Sequence, residues 1–199
     1  MRSLDLSKTI SEAELSIGTI VTLSELSKSQ NELVKKISEQ NETTSYRQWL
    51  SSELYVSLGN INEAKKILEK LQQKDDTILP LLAQVSLFAS QKDYQDVMLV
   101  LEKVVKHKDG RKPKFYKLLI DYCVKGFDLP RALTHVETWK RSAPESLAPW
   151  SVQINLLKNA NRVEEMMHVL RAASSRFPDE QSLILELAYV YESIGRLAD

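Results

Sequence analysis

The chain has 199 residues, 43% hydrophobic and 27% charged, enough for one sizeable domain or one long repeat array. Its 27 Lys+Arg balance 27 Asp+Glu, which argues against a globally basic nucleic-acid binder, and its single cysteine excludes an internal disulfide framework. No apolar run reaches the length of about 18 residues at which a transmembrane helix becomes a candidate, and the 5 Gly and 6 Pro punctuate the apolar-periodic segments, as in helices joined by short turns.

Residues 1–44 open on MRSLDLSKTISEAELSIG, which lacks the apolar core of a signal peptide. A cytoplasmic location is expected, or a periplasmic one if the chain is a fragment stripped of its leader. Ser11 with Glu14 and Ser29 with Glu32 form capping-box patterns, each side chain satisfying an otherwise unpaired backbone N–H. Ala13, Ile17, Ile20 and Val21 make one apolar stripe, and Leu33 with Ile37 another. These spacings predict two helices, a degenerate unit that covers the open face of the first repeat.

From residue 45 onward one pattern recurs: an apolar helix end, a short polar or Gly turn, and a second helix. It runs through Leu54–Leu71, Phe88–Val105, Asp121–Trp139 and Asn155–Ala173, and begins again at Tyr189–Asp199. The second helices carry paired small or apolar positions one turn apart: Ala64 with Leu68, Val97 with Leu101, Ala132 with Val136, Met166 with Leu170. Units therefore start near 45, 78, 113, 147 and 181, in steps of 33, 35, 34 and 34 residues. In the first unit Gln48, Ser51 and Ser52 fall where an inward face should be apolar, so its first helix is expected to rotate Trp49 and Leu50 inward. Trp150, Ile154 and Leu157 form the inward face of the unit at 147, and Ile184, Leu187, Ala188 and Tyr191 that of the unit at 181. The last unit is incomplete. Gly195-Arg196-Leu197 matches the turn Gly59-Asn60-Ile61, and the chain stops one residue before the counterpart of Ala64, as expected of a segment cut from a longer array.

A helix-turn-helix unit at this period resembles the tetratricopeptide repeat over roughly residues 45–199, with Pro144 and Pro178 where that family places a proline after the second helix. The resemblance implies an all-α fold, a right-handed α-solenoid of stacked antiparallel helix pairs whose first helices line a concave groove. It implies a non-catalytic scaffold that binds a peptide or a partner helix there. The groove positions carried over are Tyr46, Trp49 and Glu53; Leu79, Leu82 and Ser86; Lys114, Lys117 and Asp121; and Ser151, Asn155 and Asn159. Such a groove runs from apolar and aromatic, through basic, to amide-rich, and fits an acidic or partly apolar partner. The alternative for Tyr46 and Trp49 is a core role in an off-register helix. The family's two-carboxylate clamp is not expected, because its positions hold Trp49, Glu53, Ala83, Lys114 and Leu118, and only Lys114 is of the right type.

Two other functions compete. Arrays of this family are fused to glycosyltransferases and polysaccharide-export proteins, so the chain is alternatively a segment of a larger machine. Glu102 to Lys117 carries seven cations (Lys103, Lys106, Lys108, Arg111, Lys112, Lys114, Lys117), beside Phe115 and Tyr116, the one stretch suggesting a polyanion partner, an acidic peptide ahead of RNA. The neutral remainder makes a solvated helix end the stronger reading, and no nucleic-acid partner is expected. Self-association through the incomplete last unit is a further expectation. Glu165 and His168 share a metal-site spacing without the second copy such sites need, Cys123 lies on an apolar face as a structural thiol, and no phosphate loop or nucleophile motif occurs. Catalytic, metal and cofactor-binding residues are thus expected to be absent.

Overall fold

The computed structural model describes residues 44–74 and 76–193. The two helices expected before residue 44 and the turn expected at 195–197 lie outside them. Among the described residues the chain is all-helical: α1 Ser45–Ser57, α2 Ile61–Lys74, α3 Leu79–Ser90, α4 Tyr94–Lys106, a 3₁₀ turn Lys108–Gly110, α5 Pro113–Lys125, α6 Leu129–Ser142, α7 Ala148–Asn159, α8 Val163–Arg176 and α9 Gln181–Ser193. The six prolines explain several of these limits. Pro80, Pro113, Pro130 and Pro149 sit in first turns, where the missing N–H has no partner to lose, and Pro144 and Pro178 follow the ends of α6 and α8.

The described helices fall into two compact units, α1 to α4 with the 3₁₀ turn, and α5 to α9, divided between Gly110 and Arg111. In the first, α1 packs on α2 and α3, α2 on α3, and α3 on α4. The burial pattern reflects these neighbours. The amphipathic α2 buries Ala64, Leu68 and Leu71 along one stripe, whereas α3, packed by three helices, is apolar nearly all round and buries Leu79, Leu82, Ala83, Val85 and Leu87. Trp49 is buried in α1 as expected, but Leu50 is only half-buried, and Ser51 and Ser52 are buried too. Their small side chains let α1 lie close to its neighbours.

In the second unit each helix packs on the next, α5 through α9. Tyr116 of α5 stacks on Trp139 of α6 with ring centroids 5.9 Å apart and planes 5° from parallel. Further on, Ile154 and Leu157 of α7, Met166, Met167, Leu170 and Ala173 of α8, and Leu183 and Val190 of α9 form one core. The face of α9 differs from expectation. Leu183, Leu187 and Val190, at i, i+4 and i+7, turn inward, while Ile184 is 52% exposed and Ala188 is exposed. Both stripes are apolar, and packing on α8 selects the one at Leu183.

The turns inside the helix pairs share one construction. The described residues with positive φ are Gly59 (75°), Lys92 (59°), Phe127 (57°) and Asn161 (55°), one per pair. At each, the following N–H reaches a carbonyl five residues back: Asn60 to Tyr55 (2.8 Å), Asp93 to Phe88 (3.1 Å), Asp128 to Cys123 (2.8 Å) and Arg162 to Leu157 (2.9 Å). This is the Schellman motif, which satisfies carbonyls left free at a helix end and needs a left-handed residue. Asp93 and Asp128 then cap the next helix, accepting from the N–H of Asp96 (3.2 Å) and Arg131 (3.0 Å).

Candidate functional site

α6 packs against both α5 and α7, and the faces of α5 and α7 beside it leave a groove of about 420 Å³. From α5 it is lined by Ile120, Asp121, Val124 and Lys125, and from α7 by Val152, Asn155, Leu156 and Asn159. Both quartets have the i, i+1, i+4, i+5 or i, i+3, i+4, i+7 spacing that puts residues on one side of a helix. A second cavity of about 290 Å³ shares Val124, Leu156 and Asn159 and adds Phe127, Leu129 and Ala160 at the turn end.

The chemistry is an apolar floor with polar groups beside it. Val124 is 46% exposed and supplies apolar surface there. Asp121 and Lys125 stand one turn apart with opposite charges, and Lys125 Nζ lies 4.6 Å from the Tyr122 ring. Asn155 and Asn159 offer amide donors and acceptors from the facing helix. Such a surface can bury an apolar side chain and satisfy nearby polar or charged groups.

Phe127 is the most unusual residue here. Its side chain is 96% exposed and its backbone is left-handed. That conformation costs a bulky L-residue about 1 kcal/mol, and full exposure forgoes the roughly 1.5–3 kcal/mol that burying a phenyl contributes.

The wall formed by α7 is fixed by a polar cluster on α6. Lys140 donates to Gln153 and to Glu137 (3.1 Å), Gln153 donates to Glu137 (3.0 Å), and the Lys140 ammonium lies 3.6 Å from the centroid of the Trp150 ring. Burial pushes the Lys140 pKa below its ordinary value, outweighing the hydrogen bond and charge of Glu137, which act the other way. Trp150 meets Phe177 edge-on at 6.3 Å, and Arg176 bonds the Pro144 carbonyl (2.9 Å) and Glu145 (2.9 Å). These contacts tie α8 to the loop before α7.

Of the residues expected to line a groove, Asp121, Asn155 and Asn159 come together here. Lys114 and Lys117 are exposed on α5 outside it, Lys114 standing 5.0 Å from the ring of Phe115. Ser151 is half-buried and donates to the Leu147 carbonyl (3.4 Å). In the first unit the expectation of an accessible aromatic and apolar groove is corrected: Trp49 (2% exposed), Leu79 (5%) and Leu82 (8%) are core residues. α1 packs directly on α3, which closes the space those side chains would have lined. Tyr46 is half-buried with its ring 5.6 Å from that of Trp49, and Glu53 and Ser86 are half-buried. Sequence reasoning missed Val124, Lys125, Phe127, Val152 and Leu156. Aligning the four turns would have placed Phe127 under Gly59, Lys92 and Asn161.

Elsewhere, Arg162 grips Glu165 with Nε and Nη2 at 2.5 and 2.6 Å, and His168 is exposed. Among the described residues no three His, Cys, Asp or Glu converge at metal-ligand distances, and no helix is long and apolar enough to cross a membrane. Cys123 is fully buried. The cations of the basic stretch before the 3₁₀ turn, Lys103 and Lys106, lie in the last turn of α4, where the helix dipole favours them. No protein-family model and no curated protein matches the chain.

Proposed function

We propose that the chain is a non-catalytic protein-interaction module, a right-handed α-solenoid of tetratricopeptide-like pairs that binds a peptide segment between α5 and α7. The observation that carries this reading is the groove itself: exposed Val124 and half-buried Leu156 on its floor, with Asp121, Lys125, Asn155 and Asn159 beside them. Rigid helices hold these groups apart without a nucleophile–base pair, an arrangement suited to docking. The four in-register Schellman turns at 59, 92, 127 and 161 support the repeat reading, because one backbone solution recurs at the period of the sequence pattern. Recruitment within a larger glycosyltransferase or export assembly is a use to which the same module fits, and the groove is then its point of contact.

The test is a display selection of short random peptides on the whole chain, followed by fluorescence anisotropy of the enriched peptides. Val124→Asp with Asn155→Lys, both on exposed positions, should abolish binding while leaving the thermal melt within a few degrees. Enriched peptides that bind the double variant as well as the native chain would remove the groove from the account.

A further inference from the structure

The smaller cavity carries a residue that the fold does not require. Three of the four Schellman turns place Gly59, Lys92 or Asn161 at the left-handed position, residues that either lack a side chain or extend one into water. Phe127 puts a large apolar ring there, 96% exposed, at the edge of a cavity of about 290 Å³ whose other walls are Val124, Leu129, Leu156, Asn159 and Ala160. Backbone strain combined with an exposed ring, beside an apolar hollow the size of one large side chain, is an arrangement that points to a ligand.

We propose that Phe127 and this cavity anchor one large apolar side chain of a peptide partner, which also places an acidic group against Lys125 and a basic group against Asp121. The proposal rests on the groove reading above and specifies its occupant. The charges supply the order. Moving along α5 away from Phe127, Lys125 comes first and Asp121 one turn later, both lining the larger cavity, which shares Val124, Leu156 and Asn159 with the anchor. A peptide seated in both cavities therefore meets apolar, then cationic, then anionic surface. A lipid surface fits less well, because the site is concave and sets a carboxylate beside its lysine.

Display-selected peptides are the probe. Binding of the synthesised, fluorophore-labelled peptides to the whole chain should weaken about tenfold or more with Phe127→Asn, and survive largely in Phe127→Leu. Asn is the residue of the equivalent turn at 161, so the fold should be kept, as circular dichroism will show; Phe127→Lys, after the turn at 92, serves as the second variant. Exchanging the charges with Asp121→Lys and Lys125→Asp should reverse the preference between an enriched peptide and its charge-reversed copy. Binding lost in Val124→Asp/Asn155→Lys but indifferent to Phe127→Asn and Phe127→Lys overturns the anchor and leaves the groove reading standing. Binding insensitive to all variants, or a selection that enriches nothing, overturns both. Sedimentation that shows self-association dependent on Phe127 assigns the anchor to a second copy and overturns the peptide proposal.

Discussion

Replacing Phe127 by Asn should stabilise the protein, although trading a phenyl for an amide ordinarily destabilises. The ring is 96% exposed, so almost no buried apolar area is lost. The backbone at φ 57° disfavours a bulky L-residue by about 1 kcal/mol relative to the residues that enter this region readily, Asn among them. The net gain is therefore about 0.5–1 kcal/mol, or about 1–4 °C in midpoint for a chain of this size. The reciprocal exchange, Asn161→Phe, puts an exposed ring at φ 55° in the equivalent turn and should lose a similar amount. Urea titrations of the two variants and the native chain, followed by circular dichroism at 222 nm, measure both differences. A loss of more than about 1 kcal/mol in Phe127→Asn would mean that the ring is held by the fold, and a neutral Asn161→Phe would mean that the four turns are not equivalent.

Two glycines should separate sharply. A Cβ on Gly110 would sit 1.7 Å from the Val104 carbonyl oxygen and 2.6 Å from its carbon, backbone atoms that cannot step aside, so Gly110→Ala should cost more than about 3 kcal/mol in the same titration. Gly59→Ala meets nothing within 4 Å and should cost only the conformational penalty of φ 75°, about 1 kcal/mol. Lys140 should leave a mark on alkaline stability. Its folded pKa lies below the ordinary 10.5, so between the two values the unfolded chain binds more protons and stability rises with pH. Lys140→Met should flatten that rise in urea midpoints measured from neutral pH to just above 10.5; an unchanged profile would refute the buried ammonium. Trp49→Ala should destabilise by about 3–5 kcal/mol, the cost of emptying a core site, and a change within about 0.5 kcal/mol would return Trp49 to the surface.

Helix pairs and turns were legible because apolar spacing and turn residues agree along the chain: Ala64 with Leu68 and Ala132 with Val136 identify second helices without tertiary information. The exposed face of a first helix was harder to read. α3 is apolar nearly all round, so periodicity could not distinguish Leu79 and Leu82 as core from the same residues as groove; packing by α1, α2 and α4 decides it. In α9 two apolar stripes compete, at Ile184 and at Leu183, and contact with α8 selects the second. Asp121, Asn155 and Asn159 fall on one cavity while Lys114 and Lys117, equally polar and exposed on a first helix, do not, because polarity alone does not say which side of a helix faces its neighbour. Phe127 was concealed by its neighbour. A glycine beside a helix end invites the left-handed position, but Gly126 has φ −83° and the left-handed residue is the phenylalanine after it. The Lys140 cluster joins residues 137 and 140 to 150 and 153 across a loop, and no pattern in the linear chain brings them together.

Amide chemical-shift mapping of the ¹⁵N-labelled whole chain against a display-selected peptide tests the central claim most directly. Binding in the proposed groove should shift residues 120–129 and 152–160 and leave α1, α3 and the exposed stripe of α9 unmoved. Shifts concentrated instead at Ile184, Leu185 and Tyr189, or on the cations from Lys103 to Lys108, would contradict it.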